Sequence, residues 1–164
     1  MPRILGIDPG LQITGYGIVD LRAGALDPAL VEAGVFRFKV SEPLERRLLQ
    51  LYEDLTALLD EFEPDRIAVE KLYAHYAHPN TAILMGHARG VILLTAQQRD
   101  LPVEHLPSTE VKKAITGHGH ASKEQMQRAI QAQCQLSELP NPPDVADAIA
   151  IALTHARRLA IDRM

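Results

Sequence analysis

The hydrophobic period of this chain switches near residue 40, and that switch limits the fold more than any single residue does. Up to there the pattern is strand-like. Residues 3–8 (RILGID) are apolar-rich and read as a buried strand. Residues 12–20 (QITGYGIVD) carry the Thr, Tyr, Ile and Val of a second strand, and Pro9-Gly10 makes the turn between the two. Leu30, Val31, Val35, Phe36 and Phe38 mark a third strand over 30–38. Three strands with short connections suggest an antiparallel meander. From Leu44 the spacing becomes three and four: Leu44, Leu48, Leu51, Leu55, Leu58, Leu59 and Phe62 form one helical stripe, with Ser41 and Pro43 at its start.

The rest of the chain alternates. Residues 66–70 (RIAVE) form a short strand, a long helix runs from about Asn80 to Gln98, and Leu101 to Leu106 is the last strand. Two short helices follow, near 109–116 and 123–134, split by Gly117-His118-Gly119-His120. Ser122 and Gln125 have the spacing of a capping box for the second. A final alanine-rich helix starts at Pro142-Pro143 and runs to about Leu159. The order β-β-β-α-β-α-β-α-α-α predicts an α/β fold: a mixed five-stranded sheet with helices on both faces, in one domain over 1–164.

Composition excludes several classes. The 164 residues suit one domain, and no run of eighteen apolar residues exists to span a membrane. A single cysteine, Cys134, rules out an internal disulfide and a cysteine zinc site. The start of the chain lacks a signal-like pattern, so a reducing cytoplasmic location is expected. A net charge of −4 argues against nucleic acid, whose phosphates call for Lys and Arg. Two divalent cations in a carboxylate site would offset it.

Such a site is legible. Asp8 and Glu70 each end an otherwise apolar strand, where a carboxylate is costly unless paired or metal-bound. Two such strands can place both acids on one rim of a sheet. Asp144 and Asp147 are three apart on the last helix and share a face. Each has a plainer explanation: Asp8 in a turn with Gly10, Glu70 in water, Asp144 at a helix dipole, Asp147 on an exposed face. Together, four acids without a cysteine or a clear His pair favour hard cations such as Mg²⁺ or Mn²⁺. Two ions about 3.5–4 Å apart can activate a water and stabilise the leaving oxygen of a phosphodiester.

These stretches resemble a known family. GIDPGLQITGYGIV at 6–19, PDRIAVEKLY at 64–73, NTAILMGHARGV at 80–91, VKKAITGHGHASKEQM at 111–126 and NPPDVADAIAIALTHA at 141–156 are similar to the RuvC family of bacterial Holliday junction resolvases. The resemblance covers nearly the whole chain. It implies a ribonuclease-H-like fold, a homodimer and two divalent ions per subunit. It implies paired symmetric nicks across four-way DNA junctions in recombination and repair, a short preferred cleavage sequence, and a branch-migration motor as partner. The family's acids fall on Asp8, Glu70, Asp144 and Asp147. The acidic net charge and the lack of a basic C-terminal tail depart from the family's expected pattern.

The resemblance also carries DNA-binding roles. Tyr73 matches an aromatic residue that stacks on bases near the crossover, with Tyr76 a weaker candidate. Lys112 and Lys123 match basic residues near the scissile phosphate, with Lys113 their weaker neighbour. Lys123 follows the N-cap Ser122, where a cation opposes the helix dipole; a phosphate docking at that helix start would explain it. Of the histidines at 75, 78, 87, 118, 120 and 155, most read as surface or loop residues, and none as a metal ligand. The helix at 80–98 is apolar over most of its circumference, which calls for cover on two sides: the sheet on one, and on the other either a second subunit, with Ala82, Gly86 and Gly90 allowing close approach, or another layer of the same subunit. Arg89, on the same helix, serves structure or DNA.

Three other readings compete. The strand-turn-strand at 6–19 also resembles the first phosphate loop of actin-like ATPases and sugar kinases, but those are far longer and carry a second such loop. RuvC-related proteins linked to ribosomal RNA processing lack the last-helix motif as it stands here. A non-catalytic DNA-binding module would not need all four acids.

Overall fold

The computed structural model describes residues 1–25, 27–72 and 78–164. Its sheet is built from β1 (Arg3–Asp8), β2 (Ile13–Asp20), β3 (Ala29–Arg37), β4 (Arg66–Glu70) and β5 (Val103–Leu106). The strand order is β3-β2-β1-β4-β5. The first three strands pair antiparallel, as the short connections require. β1–β4 and β4–β5 are parallel, because a helix crosses over before each return. The helices are α1 (Leu44–Phe62), α2 (Pro79–Gln98), α3 (Ser108–Thr116), α4 (Lys123–Gln133) and α5 (Pro143–Asp162).

The expected element order therefore holds, with shifted ends. The last strand starts at Val103 rather than Leu101, since Pro102 has no N–H for a ladder and Leu101 still donates to Ala96 at the end of α2. The last helix continues to Asp162, one turn beyond Leu159. The capping box forms as its spacing predicts: Ser122 Oγ accepts from the Gln125 N–H at 3.1 Å, and Gln125 Oε1 accepts from the Ser122 N–H at 2.8 Å.

Side-chain parity divides the core in two. Leu5, Ile7, Ile18, Ile67 and Val69 face α1 and α2, meeting Leu51, Leu55, Leu59, Ala88, Ile92 and Ala96. Ile4, Val19 and Ala68 point the other way, toward α3, α4 and α5. The inner face of α2 is covered by the sheet and α1, whereas Ile83 and Leu94 on its outer face each remain 59% exposed. Among the described residues no helix is long and apolar enough to cross a membrane.

α5 lies unusually close to the sheet. A Cβ at Gly6 would strike the Ala148 carbonyl, one at Gly15 the Asp144 carbonyl, and one at Gly17 would come within 2.9 Å of the Ile149 Cα. Gly6 and Gly17 are cross-strand partners, and Gly15 is the partner of Asp8. The glycines form a groove in the sheet, and the alanine-rich helix rests its backbone in it.

Candidate active site

Parity also aims the acids. Asp8 shares the face of Ile4 and Gly6, and Glu70 shares the face of Ala68. Both therefore end adjacent parallel strands on the α5 side of the sheet. Thr14 fixes the turn that follows Asp8: its hydroxyl donates to the Gly10 carbonyl at 2.6 Å and accepts from the Gly10 N–H at 3.1 Å. α5 begins over the same corner. Asp144 lies in its first turn with its backbone against Gly15, and Asp147 follows one turn on. Buried Gln127 on α4 steadies the approach to α5 by donating to the Pro140 carbonyl at 2.9 Å.

The four acids are half-buried and sense one another. Burial pushes the Asp8 carboxyl well above the usual range, and the negative charges of Glu70, Asp147 and Asp144 push it further. A hydrogen bond between the Asp8 and Glu70 carboxyls would need a proton on one of the pair, and it raises Asp8 while lowering Glu70. Burial raises Glu70 too, opposed by that hydrogen bond and by the charges of Lys112 and Arg89. Asp147 is pushed up to about 6, first by burial and then by Glu70 and Asp144, while Lys112 and Lys123 pull it back.

Lys112 and Lys123 thus lie close enough to the cluster for their charge to be felt at Asp147. With Glu70, Asp147 and Ser108 they line a cavity of about 420 Å³ whose remaining lining is apolar and includes Met85, Val111, Met126 and Ile151. Glu70 and Asp147 meet there from a strand and a helix, and the two cations come from α3 and the first residue of α4. Tyr73, His75 and Tyr76 lie outside the described residues. His118 and His120 stand in the loop before α4, where His118 Nδ1 accepts from the His120 N–H at 3.1 Å.

Among the described residues, no three acid, imidazole or thiol groups stand close enough to hold an ion as placed. The donor chemistry nevertheless suits a hard cation. These are carboxylate oxygens on one rim, where burial drives Asp8, Glu70 and Asp147 to keep protons and neighbouring negative charge adds to the effect at Asp8 and Asp147. A divalent cation displaces those protons.

Sequence reasoning missed two parts of this arrangement and left a third open between two roles. The Gly6, Gly15 and Gly17 groove was readable only as scattered strand glycines, although glycine within a strand signals close backbone approach. Thr14 sits four residues after Gly10, a spacing that could have suggested the turn lock. Arg89, expected to serve structure or DNA, points inward and is 9% exposed; its guanidinium donates to the Glu70 main-chain carbonyl and lies 2.7 Å from His105 Nδ1.

Known proteins are similar to this chain over nearly its whole length. The family model for crossover junction endodeoxyribonuclease RuvC matches residues 4–155. A RuvC from Rhodopirellula baltica is 47% identical over 92% of this chain and 83% of its own. One from Brevibacillus brevis is 43% identical over 94% and 92%. Among solved structures, Thermus thermophilus RuvC in complex with a Holliday junction substrate superposes with a TM-score of 0.88 at 34% identity, covering 99% of this chain and 97% of that one. The yeast mitochondrial resolvase Ydc2 shares the fold, with a TM-score of 0.62 at 16% identity. A match from the first strand to the last helix, with four acids gathered on one rim of the sheet, places this chain in the RuvC family of crossover junction endodeoxyribonucleases.

Proposed function

We propose that this chain resolves four-way DNA junctions by paired, symmetric nicks in recombination and repair, with Asp8, Glu70, Asp144 and Asp147 as its metal ligands. The observation that carries the reading is the convergence of four acids from two strands and one helix, flanked by two lysines. When bound, two divalent ions per subunit, Mg²⁺ or Mn²⁺, would supply an activated water and charge neutralisation at the phosphate. The protein's own work is placement. Asp8 and Glu70 are fixed by the ends of adjacent strands, and Asp144 and Asp147 by a helix seated on glycine. Lys112 and Lys123 oppose the phosphate charge, and Tyr73 supplies a stacking face for a base beside the crossover.

A homodimer fits the two strands to be cut. The outer face of α2 supports it: Ile83, His87, Gly90, Leu94 and Gln97 are all exposed, and they recur at spacings of four and three, the pattern of a helix–helix seam. In this reading a branch-migration motor delivers the junction, and the work takes place in a bacterial cytoplasm. The test is cleavage of a synthetic four-way junction, beside matched duplex and single strand, with Mg²⁺ or Mn²⁺ and then a chelator. Paired nicks confined to the junction and lost on chelation are expected. No junction cleavage with either metal, over several core sequences, would overturn the reading.

A further inference from the structure

Arg89 is a nearly buried cation that the chemistry above leaves without a task. Its guanidinium spans two elements. Nη1 donates to the main-chain carbonyl of Glu70, the last residue of β4. Nη2 lies 2.7 Å from Nδ1 of His105 on β5. A guanidinium only donates, so Nδ1 is the acceptor and the ring's proton is on Nε2. Burial, and then the charge of Arg89, lower the His105 pKa, which suits a neutral acceptor.

The ladder explains why this carbonyl needs a donor. β1 and β4 pair in parallel up to Ile7 and Val69. The Lys71 N–H, in the same peptide unit, reaches the Leu106 carbonyl on β5 at 2.8 Å, so the Glu70 carbonyl points the other way, toward β1. On the β1 side, a continued parallel ladder would give the Glu70 carbonyl the N–H two residues past Ile7. That residue is Pro9, which has none. The turn that aims Asp8 therefore breaks the ladder beside Glu70, and α2 fills the gap with a side chain.

We propose that Arg89 is a positioning residue for Glu70: it replaces the donor missing at Pro9, anchors to His105, and so holds the Glu70 carboxylate at the rim for metal. Arginine suits this because its rigid fork reaches two acceptors in different directions at once. A lysine would keep the charge and lose one anchor. The inference rests on the reading of Glu70 as a metal ligand.

The experiment titrates Mn²⁺ alone into the DNA-free full chain by calorimetry, for wild type, Arg89→Met, Arg89→Lys, His105→Ala and Glu70→Gln. Groups that orient metal ligands typically alter affinity about tenfold or more. Arg89→Met is expected to weaken Mn²⁺ binding about tenfold. Arg89→Lys and His105→Ala should shift it less, in the same direction. Junction cleavage at limiting Mn²⁺ should fall in parallel and recover with excess Mn²⁺, while junction binding without metal stays unchanged. Should Arg89→Met lose its thermal transition, Arg89→Lys and exposed His105→Ala decide the matter. Unchanged Mn²⁺ affinity in the folded variants overturns the inference. Wild-type affinity in Glu70→Gln overturns the ligand reading itself; lost affinity there, with Arg89 and His105 variants unshifted, overturns only the role of Arg89.

Discussion

The two faces of the sheet are built by opposite means. Toward α1 and α2 the contacts are bulky: Leu51, Leu55 and Leu59 against Leu5, Ile7, Ile67 and Val69. Toward α5 they are minimal: Ala148 and Ala152 against Gly6, and the Asp144 backbone against Gly15. Large side chains bury much apolar area and repack when changed, so that face supplies stability. Backbone-on-backbone contact buries less per residue but leaves little room to shift. The α5 face thus gives up bulk for accuracy, and it is the face that holds the acids.

The largest effect should come from breaking the acid face itself. Asp8→Asn should cut metal-dependent junction cleavage about 1000-fold, the equivalent of several kcal/mol of charge stabilisation, while leaving DNA binding largely intact. Full activity in that variant would remove Asp8 from the site.

Gly15→Ala and Leu55→Ala set one face directly against the other. The added methyl at Gly15 must push the Asp144 carbonyl away, and a displacement of about 1 Å can cost 100-fold in rate. Leu55, 1% exposed, should cost about 2–5 kcal/mol of stability when truncated, yet cleave normally well below its melting point. Chemical denaturation and single-turnover cleavage on both variants would test this. Equal losses of rate in the two would erase the distinction.

The acid face should also cost stability in the absence of metal. The folded state raises the Asp147 pKa from 3.8 to about 6, so folded protein binds more protons than unfolded protein between those values. Metal-free stability should therefore fall as pH rises from about 4 through about 6, and the rises at Asp8 and Glu70 act in the same sense. Asp147→Asn should flatten that decline and raise metal-free stability at pH 8 by about 2 kcal/mol, allowing for partial exposure. Urea melts of both proteins at pH 5 and pH 8 provide the check; a variant no more stable than wild type at pH 8 would contradict the account.

Lys123→Ala should have the smallest effect, slowing cleavage about tenfold at low salt and less at high salt, because an exposed cation is screened. An unchanged rate at low salt would leave Lys123 a solvated surface residue.

Much of this was readable before any coordinates. The change from alternating to helical spacing near residue 40 reflects local geometry, so it gave the element order without tertiary information. The acids were conspicuous because Asp8 and Glu70 end strands whose central residues are all apolar. Element ends were read less well, since a proline such as Pro102 just before β5 acts locally in ways that periodicity averages over. Arg89 was ambiguous because a charge on an apolar helix says nothing of the acceptor it will meet.

The sequence by itself determined which residues could do the chemistry and which segments would carry them, because strand and helix periods and the cost of burying a carboxylate are local properties. Only the tertiary structure decided that four acids separated by up to 139 positions share one rim (Asp8 to Asp147, 147 − 8). That outcome depends on strand order, on the parity that turns Asp8 and Glu70 toward the same side, and on a glycine groove that admits α5. Each of these is a relation between distant segments, fixed by packing rather than by any segment's own preference.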